Sequence, residues 1–347
     1  DLAELPVVHK RELMQQFDAW VTDPALRLGE LQHFMASATR VAEPFARRYV
    51  VWQSSGSSGE PAVFVQDAAA LAVYDALEAL RRPNPRSLRA LSNPWQRSGP
   101  MVFVGATDGH FASNVSLERL RRLNPLLARR LHALSFLQPT EALVQQLNAL
   151  APGELATYPS AAVLLAEEQL AGRLHLRLHQ LWTGGETLTP AMRRFLQRAF
   201  GCPVINSYGA SEFLTLACEC SQGQLHLNAD WAILEPVDAQ GQPVPDGQFG
   251  HTTLLTNLAN HVQPLIRYDL GDSILTRPDP FECGNPMPAI RVAGRRDDVL
   301  RLHAADGREV TILPLAIGAV LEQVGGLRRS QIVQTGPTSL CVRAEVE

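Results

Sequence analysis

Between Met101 and Ser207 the chain repeats one rhythm: a short apolar run, a turn rich in Gly or Asp, then apolar residues at helical spacing. Residues 101–106 (MVFVGA) lead through Asp108-Gly109-His110 to a basic amphipathic stretch over 116–134. Leu178–Thr183 leads to a helical pattern over 188–200, and Val204–Ser207 begins the next apolar run. Strands joined through helices predict an α/β unit with parallel strands, because a parallel connection needs a crossover. Upstream, the spacing predicts a helix over 11–22, a buried strand at 49–53 and a helix over 67–81. Past residue 225 the pattern changes to short alternating runs divided by Gly, Pro and Asp, which predicts a β-rich subdomain. After Arg295 a hairpin at 299–310, a helix at 313–324 and a strand near 331–335 make a small tail. The expected architecture is α/β: a large N-terminal domain of layered α/β and β-rich subdomains over 1–294, and a short α+β C-terminal domain over 295–347.

Composition narrows the classes of function. At 347 residues and 46% hydrophobic the chain can bury a large core. A net charge of −4 gives no reason to expect a nucleic-acid partner. No apolar run has the length of a membrane span, and residues 1–6 lack the basic and apolar regions of a signal peptide. Five cysteines, an odd and sparse set, argue against a disulfide framework, so the expected compartment is the cytoplasm. A homodimer stays open as an assembly. Of 31 basic residues all but one are arginine. Lys10 is therefore the sole candidate for any role that demands a lysine.

Five turns carry residues suited to chemistry. Ser54-Ser55-Gly56-Ser57-Ser58-Gly59 follows a strand and offers hydroxyls and unshielded N–H groups to phosphate oxygens, without the Gly-Lys-Ser/Thr of a Walker A loop. In Gly184-Gly185-Glu186 the glycines allow close backbone approach to a flat ligand. In Ser207-Tyr208-Gly209-Ala210-Ser211-Glu212, Tyr208 can stack on a base and Glu212 can hold a hard divalent cation. Asp272, closing Tyr268-Asp269-Leu270-Gly271-Asp272, can accept hydrogen bonds from a ribose diol. In Gly294-Arg295-Arg296-Asp297-Asp298, Arg295 can reach phosphate or ribose, and the paired Asp before a hairpin suits a hinge. Each turn alone also has a plainer reading as a flexible loop, a helix start or a charged surface turn.

In order, these segments resemble the adenylate-forming superfamily of acyl-CoA synthetases and adenylation domains, in particular its phenylacetate–CoA ligase-like branch. The hydroxyl-rich loop, Tyr-Gly-x-Ser-Glu at 208–212, Tyr-x-x-Gly-Asp at 268–272 and Gly-Arg-x-Asp-Asp at 294–298 carry the resemblance, which runs from about Pro6 to the end. It implies AMP-forming activation of a small carboxylic acid, with an aromatic acid favoured, then thioester formation with coenzyme A. The alternatives are transfer to a carrier-protein thiol, or a non-catalytic or partner-dependent member. By resemblance Ser54–Gly59 hold the β- and γ-phosphates of ATP, Gly184, Gly185, Glu186 and Tyr208 line the adenine, and Glu212 binds Mg²⁺. Asp272 binds the ribose with Arg295 nearby, and Asp297 is the pivot of the small domain. His110, Phe111 and Ala210 are the implied acid-pocket residues, with Tyr158-Pro159-Ser160 a further candidate.

Two departures from the family pattern stand out. Glu60 occupies a position where the family often has lysine, and a carboxylate there repels a triphosphate unless it points away. The superfamily also uses a lysine late in its C-terminal domain, and no lysine follows Lys10 in these 347 residues. Cys218, Cys220, His226 and Cys283 form a candidate Zn²⁺ set of Cys₃His type, in a region where the branch often carries cysteines; the other reading is buried thiols and a strand histidine. Arg119, Arg121, Arg122, Arg129 and Arg130 are either a face for coenzyme A phosphates or an acidic carrier, or a solvated helix surface.

Overall fold

The computed structural model describes residues 2–54, 61–81, 99–277, 282–298, 300–304, 306, 308–312 and 327–346. The predicted helix over 313–324 and Ser55, Gly56, Ser57, Ser58 and Gly59 of the hydroxyl loop lie outside these residues.

Two short helices, α1 (Lys10–Gln15) and α2 (Phe17–Trp20), replace the single helix expected over 11–22. The break at Gln16 lets Phe17 turn inward and lets the Trp20 indole N–H donate to the Pro264 carbonyl at 2.5 Å, so tertiary docking overrides local periodicity. Helix α3 (Leu28–Met35) follows, then β1 (Val50–Gln53) and β2 (Val63–Gln66), an antiparallel pair joined by the hydroxyl loop. Helix α4 (Ala68–Arg81) starts under Asp67, whose carboxylate accepts the Ala70 N–H at 2.8 Å.

Strand β3 (Met101–Gly105) opens the parallel part of the main sheet. The basic stretch predicted as one helix over 116–134 proves to be three elements: α5 (Ala112–Leu123), α6 (Pro125–Ala128) and strand β4 (Leu131–Ser135). Asn124-Pro125 divides it, since the Asn124 side chain accepts the Leu126 and Leu127 N–H groups and proline fits the first helical position. Then come α7 (Thr140–Leu150), β5 (Glu154–Thr157), α8 (Pro159–Leu170), β6 (Gln180–Thr183), α9 (Pro190–Phe200) and β7 (Val204–Ala210). A strong start and stop bound α9: Thr189 Oγ1 accepts the Met192 N–H at 3.2 Å, and Gly201 takes a left-handed φ of 61°.

The chain then turns antiparallel through β8 (Phe213–Glu219), β9 (Leu225–Leu227), β10 (Ala232–Val237), β11 (Thr252–Asn257), β12 (Tyr268–Asp269), β13 (Asp272–Arg277) and β14 (Ala289–Arg295). Nine strands form one sheet in the order β13-β14-β9-β8-β7-β6-β5-β3-β4, parallel from β4 to β7 and antiparallel beyond. β10, β11 and β12 make a second sheet. The predicted α/β unit and β-rich subdomain are thus halves of one continuous sheet plus a small companion. Two antiparallel hairpins follow Arg295: β15 (Leu300–His303) with β16 (Glu309–Ile312), and β17 (Leu327–Gly336) with β18 (Ser339–Val346). One core packs the helices over the parallel strands, with Val102, Leu155, Leu165, Leu181 and Leu196 at or near zero exposure. A second core, around Trp52, Phe64, Phe213 and Leu255, joins the β1–β2 hairpin to the antiparallel half. Among the described residues no helix is long and apolar enough to cross a membrane.

Candidate active site

Parallel strands β3, β5, β6 and β7 end side by side, and the chain leaves each of them into a turn on the same edge. The carboxyl edge of such a sheet is where α/β proteins bind ligands. An open cavity of about 2740 Å³ lies there. Its lining includes Ser54, Phe111, Gly184, Gly185, Glu186, Ser207, Tyr208, Gly209, Ala210, Glu212, Asp272 and Arg295.

Direct contacts tie the five turns together. Trp52, fully buried in β1 two residues before Ser54, donates its indole N–H to the Ser211 carbonyl at 2.8 Å. The end of β1 is thereby fixed to the turn that carries Glu212. Gly184 runs so close to β7 that a Cβ there would sit 3.0 Å from the Ser207 carbonyl. Gly185 has φ 78°, and a Cβ on it would meet the Tyr158 ring at 3.0 Å. The phenol of Tyr208 donates to Asp272 Oδ2 at 2.5 Å. Arg295 Nη1 donates to Asp272 Oδ1 at 3.2 Å and to the Leu270 carbonyl at 3.0 Å.

Glu212 sits in the tight turn between β7 and β8, where Ala210 pairs with Phe213. Its backbone carbonyl accepts from Asn257 Nδ2 at 3.0 Å, and its carboxylate accepts from the Tyr268 phenol at 2.8 Å. Burial lifts the Glu212 carboxyl above the usual range, against the opposing pull of the Tyr268 hydrogen bond and the Lys10 charge. Burial likewise lifts Asp272, opposed by Tyr208 and Arg295. Tyr208 is held well above the ordinary tyrosine value, first by burial and then by the Asp272 charge, so it stays a donor. Asp269 behaves differently: burial pushes it up, but hydrogen bonds from Thr252 and Arg296 outweigh that and hold it below the usual range. Two desolvated carboxyls facing one cavity form a site that gains from a cation.

Some expected residues take other roles. The Glu186 carboxylate accepts the Ser160 N–H at 2.9 Å and its hydroxyl at 3.0 Å, so Glu186 fastens the Gly-Gly turn to the start of α8. His110, expected at the acid, is 1% exposed and does not line the cavity. Its Nε2 is 3.1 Å from the Ser37 carbonyl and its ring stands edge-on to Phe34. The apolar contact with Phe34 draws the ring away, while the His110 carbonyl accepts the Gln53 N–H at 2.8 Å and so steadies the end of β1. The basic helix is partly neutralised: Arg119 makes a two-pronged pair with Asp75, and Arg121 pairs with Glu118. Asp297 lies in a 3-10 turn over Arg296–Asp298, directly after β14.

Sequence reading named Tyr158 but missed its neighbours and Glu219. Phe103 and Phe136 stand edge-to-face against Tyr158, with ring centroids 6.4 Å and 5.8 Å away, and all three line the cavity. They come from β3, the end of β4 and the start of α8, and nothing in local sequence brings them together. Glu219, also on the cavity wall, is 5% exposed and accepts from the Arg193 guanidinium and from the Asn206 N–H at 2.8 Å.

The metal candidates form a smaller group. Ligand atoms of Cys220, His226 and Cys283 lie within 4.8 Å of one another, with Cys283 Sγ 3.3 Å from His226 Nε2. His226 Nδ1 is 2.8 Å from the Met287 carbonyl. A carbonyl only accepts, so Nδ1 carries the proton and Nε2 presents its lone pair to the thiols, the usual arrangement of a ligating histidine. Cys218, expected in the same set, is buried and outside this group.

Known proteins share this fold and parts of this sequence. The family model described as AMP-binding enzyme matches residues 129–252. An open conformation of 2-hydroxyisobutyryl-CoA ligase, in complex with 2-HIB-AMP and CoA, superposes with a TM-score of 0.63 at 25% identity, covering 99% of this chain and 74% of that one. The anthranilate CoA ligase AuaEII, in complex with anthranoyl-AMP, shares the fold with a TM-score of 0.60 at 16% identity over 85% of this chain and 55% of its own. Phenylacetate-coenzyme A ligases of Pseudomonas putida and Escherichia coli (strain K12) are each 28% identical over 282 residues, 76% of this chain and 57% and 59% of theirs. Protein CapK of Staphylococcus aureus is 27% identical over 169 residues, 46% of this chain and 34% of its own. The chain therefore spans between about a third and three fifths of the curated relatives it matches. The chain is thus similar to AMP-binding enzymes over 129–252 and to phenylacetate-coenzyme A ligases over three quarters of its length.

Proposed function

We propose that this protein activates a small carboxylic acid with Mg-ATP, forming an acyl-adenylate and pyrophosphate, and passes the acyl group to coenzyme A. The observation that carries the reading is the convergence of Ser54, Gly184, Tyr208, Glu212 and Asp272, from four distant parts of the chain, on one cavity. The Phe103, Phe136 and Tyr158 rings give that cavity an aromatic wall, which favours an aromatic acid. The phenylacetate-coenzyme A ligases among the relatives point the same way.

In the reaction a carboxylate oxygen of the acid forms a bond to the α-phosphorus. The bond to the bridging oxygen breaks in line, and pyrophosphate leaves with the electron pair. The chain's contribution is positioning and charge complementarity. Asp272, backed by Tyr208 and Arg295, accepts from the ribose hydroxyls. The narrow Gly184–Gly185 turn, braced by Glu186 on Ser160, admits the flat adenine beside β7. Glu212 suits Mg²⁺, being a buried hard oxygen donor whose charge the fold itself opposes. Mg²⁺ when bound neutralises phosphate charge. Residues 295–347 are assigned to the lid that would turn between half-reactions, with Asp297 as its pivot.

Acid-dependent exchange of labelled pyrophosphate into ATP, screened over aromatic and aliphatic acids, tests the proposal. The expected result is exchange that needs Mg²⁺ and is fastest with an aromatic acid. A folded preparation with no affinity for Mg-ATP or AMP overturns it, and acceptor assays with coenzyme A and a carrier-protein thiol identify the second step.

We also propose Zn²⁺ at Cys220, His226 and Cys283, tying the end of β8 to β9 and to the segment before β14. The two thiols and one imidazole suit its preference for sulfur and nitrogen, and its part is to hold the fold. Elemental analysis should find about one zinc per chain, and strong chelation or Cys283→Ser should lower the melting temperature by several degrees. Metal-free protein with an unchanged melting temperature overturns the assignment.

A further inference from the structure

We propose that Lys10, the only lysine in the chain, binds the triphosphate tail of the nucleotide and is a substrate-binding residue of the site. The inference rests on the adenylation reading above and adds to it a residue outside the five turns. Three observations place Lys10 there.

The N-terminal segment is part of the cavity floor. Val8 forms a parallel bridge with Tyr268, its N–H donating to the Arg267 carbonyl at 3.1 Å and its carbonyl accepting from Asp269 at 3.0 Å. This sets His9 beside Asp269, with Nδ1 and Oδ2 3.3 Å apart, and sets Lys10 at the first position of α1 on the cavity lining. Tyr268, the bridge partner, donates to Glu212, and the Lys10 ammonium favours the charged form of that carboxylate.

Helix α1 also reaches the other side of the phosphate region. Met14 Sδ accepts the Val63 N–H at 3.4 Å, where β2 begins after the hydroxyl loop. Lys10 and Met14 are four residues apart and share one helix face. That face runs from the Glu212 turn to the start of β2, so a phosphate chain held at Glu212 would pass along it.

Charge around the Glu212 turn favours such a group. Glu212, Asp269 and Asp272 all line the cavity. Arg295 and Arg296, which face the same region, are engaged by Asp272 at 3.2 Å and Asp269 at 2.7 Å. A nucleotide tail adds about four negative charges to this field, and close like charges repel strongly where water is excluded. An ammonium is a compact cation with three donors, well matched to phosphate oxygens.

The test compares wild type, Lys10→Met and Lys10→Arg by calorimetric titration with Mg-ATP and with AMP. Methionine keeps the length of the apolar stem, and melting curves check folding; Lys10→Gln serves if the methionine variant does not fold. The expected result is a Kd for Mg-ATP raised about tenfold to a hundredfold in Lys10→Met, an AMP Kd within about twofold of wild type, and recovery of most of the loss in Lys10→Arg. Equal weakening of both nucleotides, or of neither, overturns the assignment while leaving the adenylation reading intact. A wild-type protein that binds neither nucleotide overturns both.

Discussion

Gly209→Ala should abolish the soluble, cooperatively folded protein. An ideal Cβ at position 209 lies 1.9 Å from the Leu214 carbonyl oxygen and 2.8 Å from its carbon. Both atoms are backbone, so no side-chain rotation relieves the overlap. The strands around this point are constrained: the register of β7 against β8 shifts between Tyr208 and Ala210, and Trp52 and Asn257 hold the turn at Ser211 and Glu212 from either side. A methyl group must then push β8 away from β7 in the middle of the nine-stranded sheet, a cost on the order of 4 kcal/mol or more. Gly29→Ala is the control. It lies inside α3, where an added methyl has nothing within 4 Å, and should stabilise by about 0.5–1 kcal/mol. A Gly209→Ala protein that melts with wild type would show that the hairpin has room the geometry denies.

Glu212→Gln should lose activity by about 10²–10³-fold while the metal-free protein melts at or above the wild-type temperature. The two effects have one cause. The site holds a carboxylate whose ionised form the fold disfavours by burial, and a divalent cation bound there would offset that cost. The amide keeps the shape and removes the charge. Because the folded-state pKa of Glu212 is raised, the native state binds the proton more tightly than the unfolded chain does. Stability is lost as pH rises from the unfolded value of about 4.3 through the folded one, and it is regained by acidification across that window. The stability advantage of Glu212→Gln is therefore expected above the window and should vanish below about pH 4. Melting curves in chelator across pH 4–8, with exchange assays in Mg²⁺, measure both halves. A variant that is inactive and also less stable at pH 7–8 would mean that Glu212 is an anchor of the fold and that its desolvation is not the controlling term.

The legible parts of this protein were those written locally. Periodicity located the strands at 101–106, 178–183 and from Val204, and it placed a helix over 188–200 where α9 runs Pro190–Phe200. The short turns were visible because glycine and carboxylates stand out after apolar runs, and their order made the family recognisable. Long-range packing was less legible. Gln16 breaks a good helical pattern because Trp20 finds a carbonyl at Pro264. Leu131–Ser135 reads as helix yet forms the edge strand, since β3 supplies its hydrogen bonds. His110 has the composition of a ligand-contacting loop residue, and only Phe34 and Ser37, some seventy positions earlier, reveal that it faces inward. Tyr158 was a visible pocket candidate, but Phe103 and Phe136 beside it could not be anticipated, because sheet order alone makes neighbours of their elements.

The seam between the first residues and β12 has a consequence for synthesis. Arg267, 5% exposed, gives one guanidinium nitrogen to the carbonyls of Ala3 and Leu5, at 3.0 Å and 2.6 Å, across separations of 264 and 262 positions. During translation residues 3–5 therefore stay without this partner until Arg267 has emerged, while the parallel strands and their helices between them can already assemble. Stalled products ending before Tyr268 should expose that segment to proteases, because β12 is its partner.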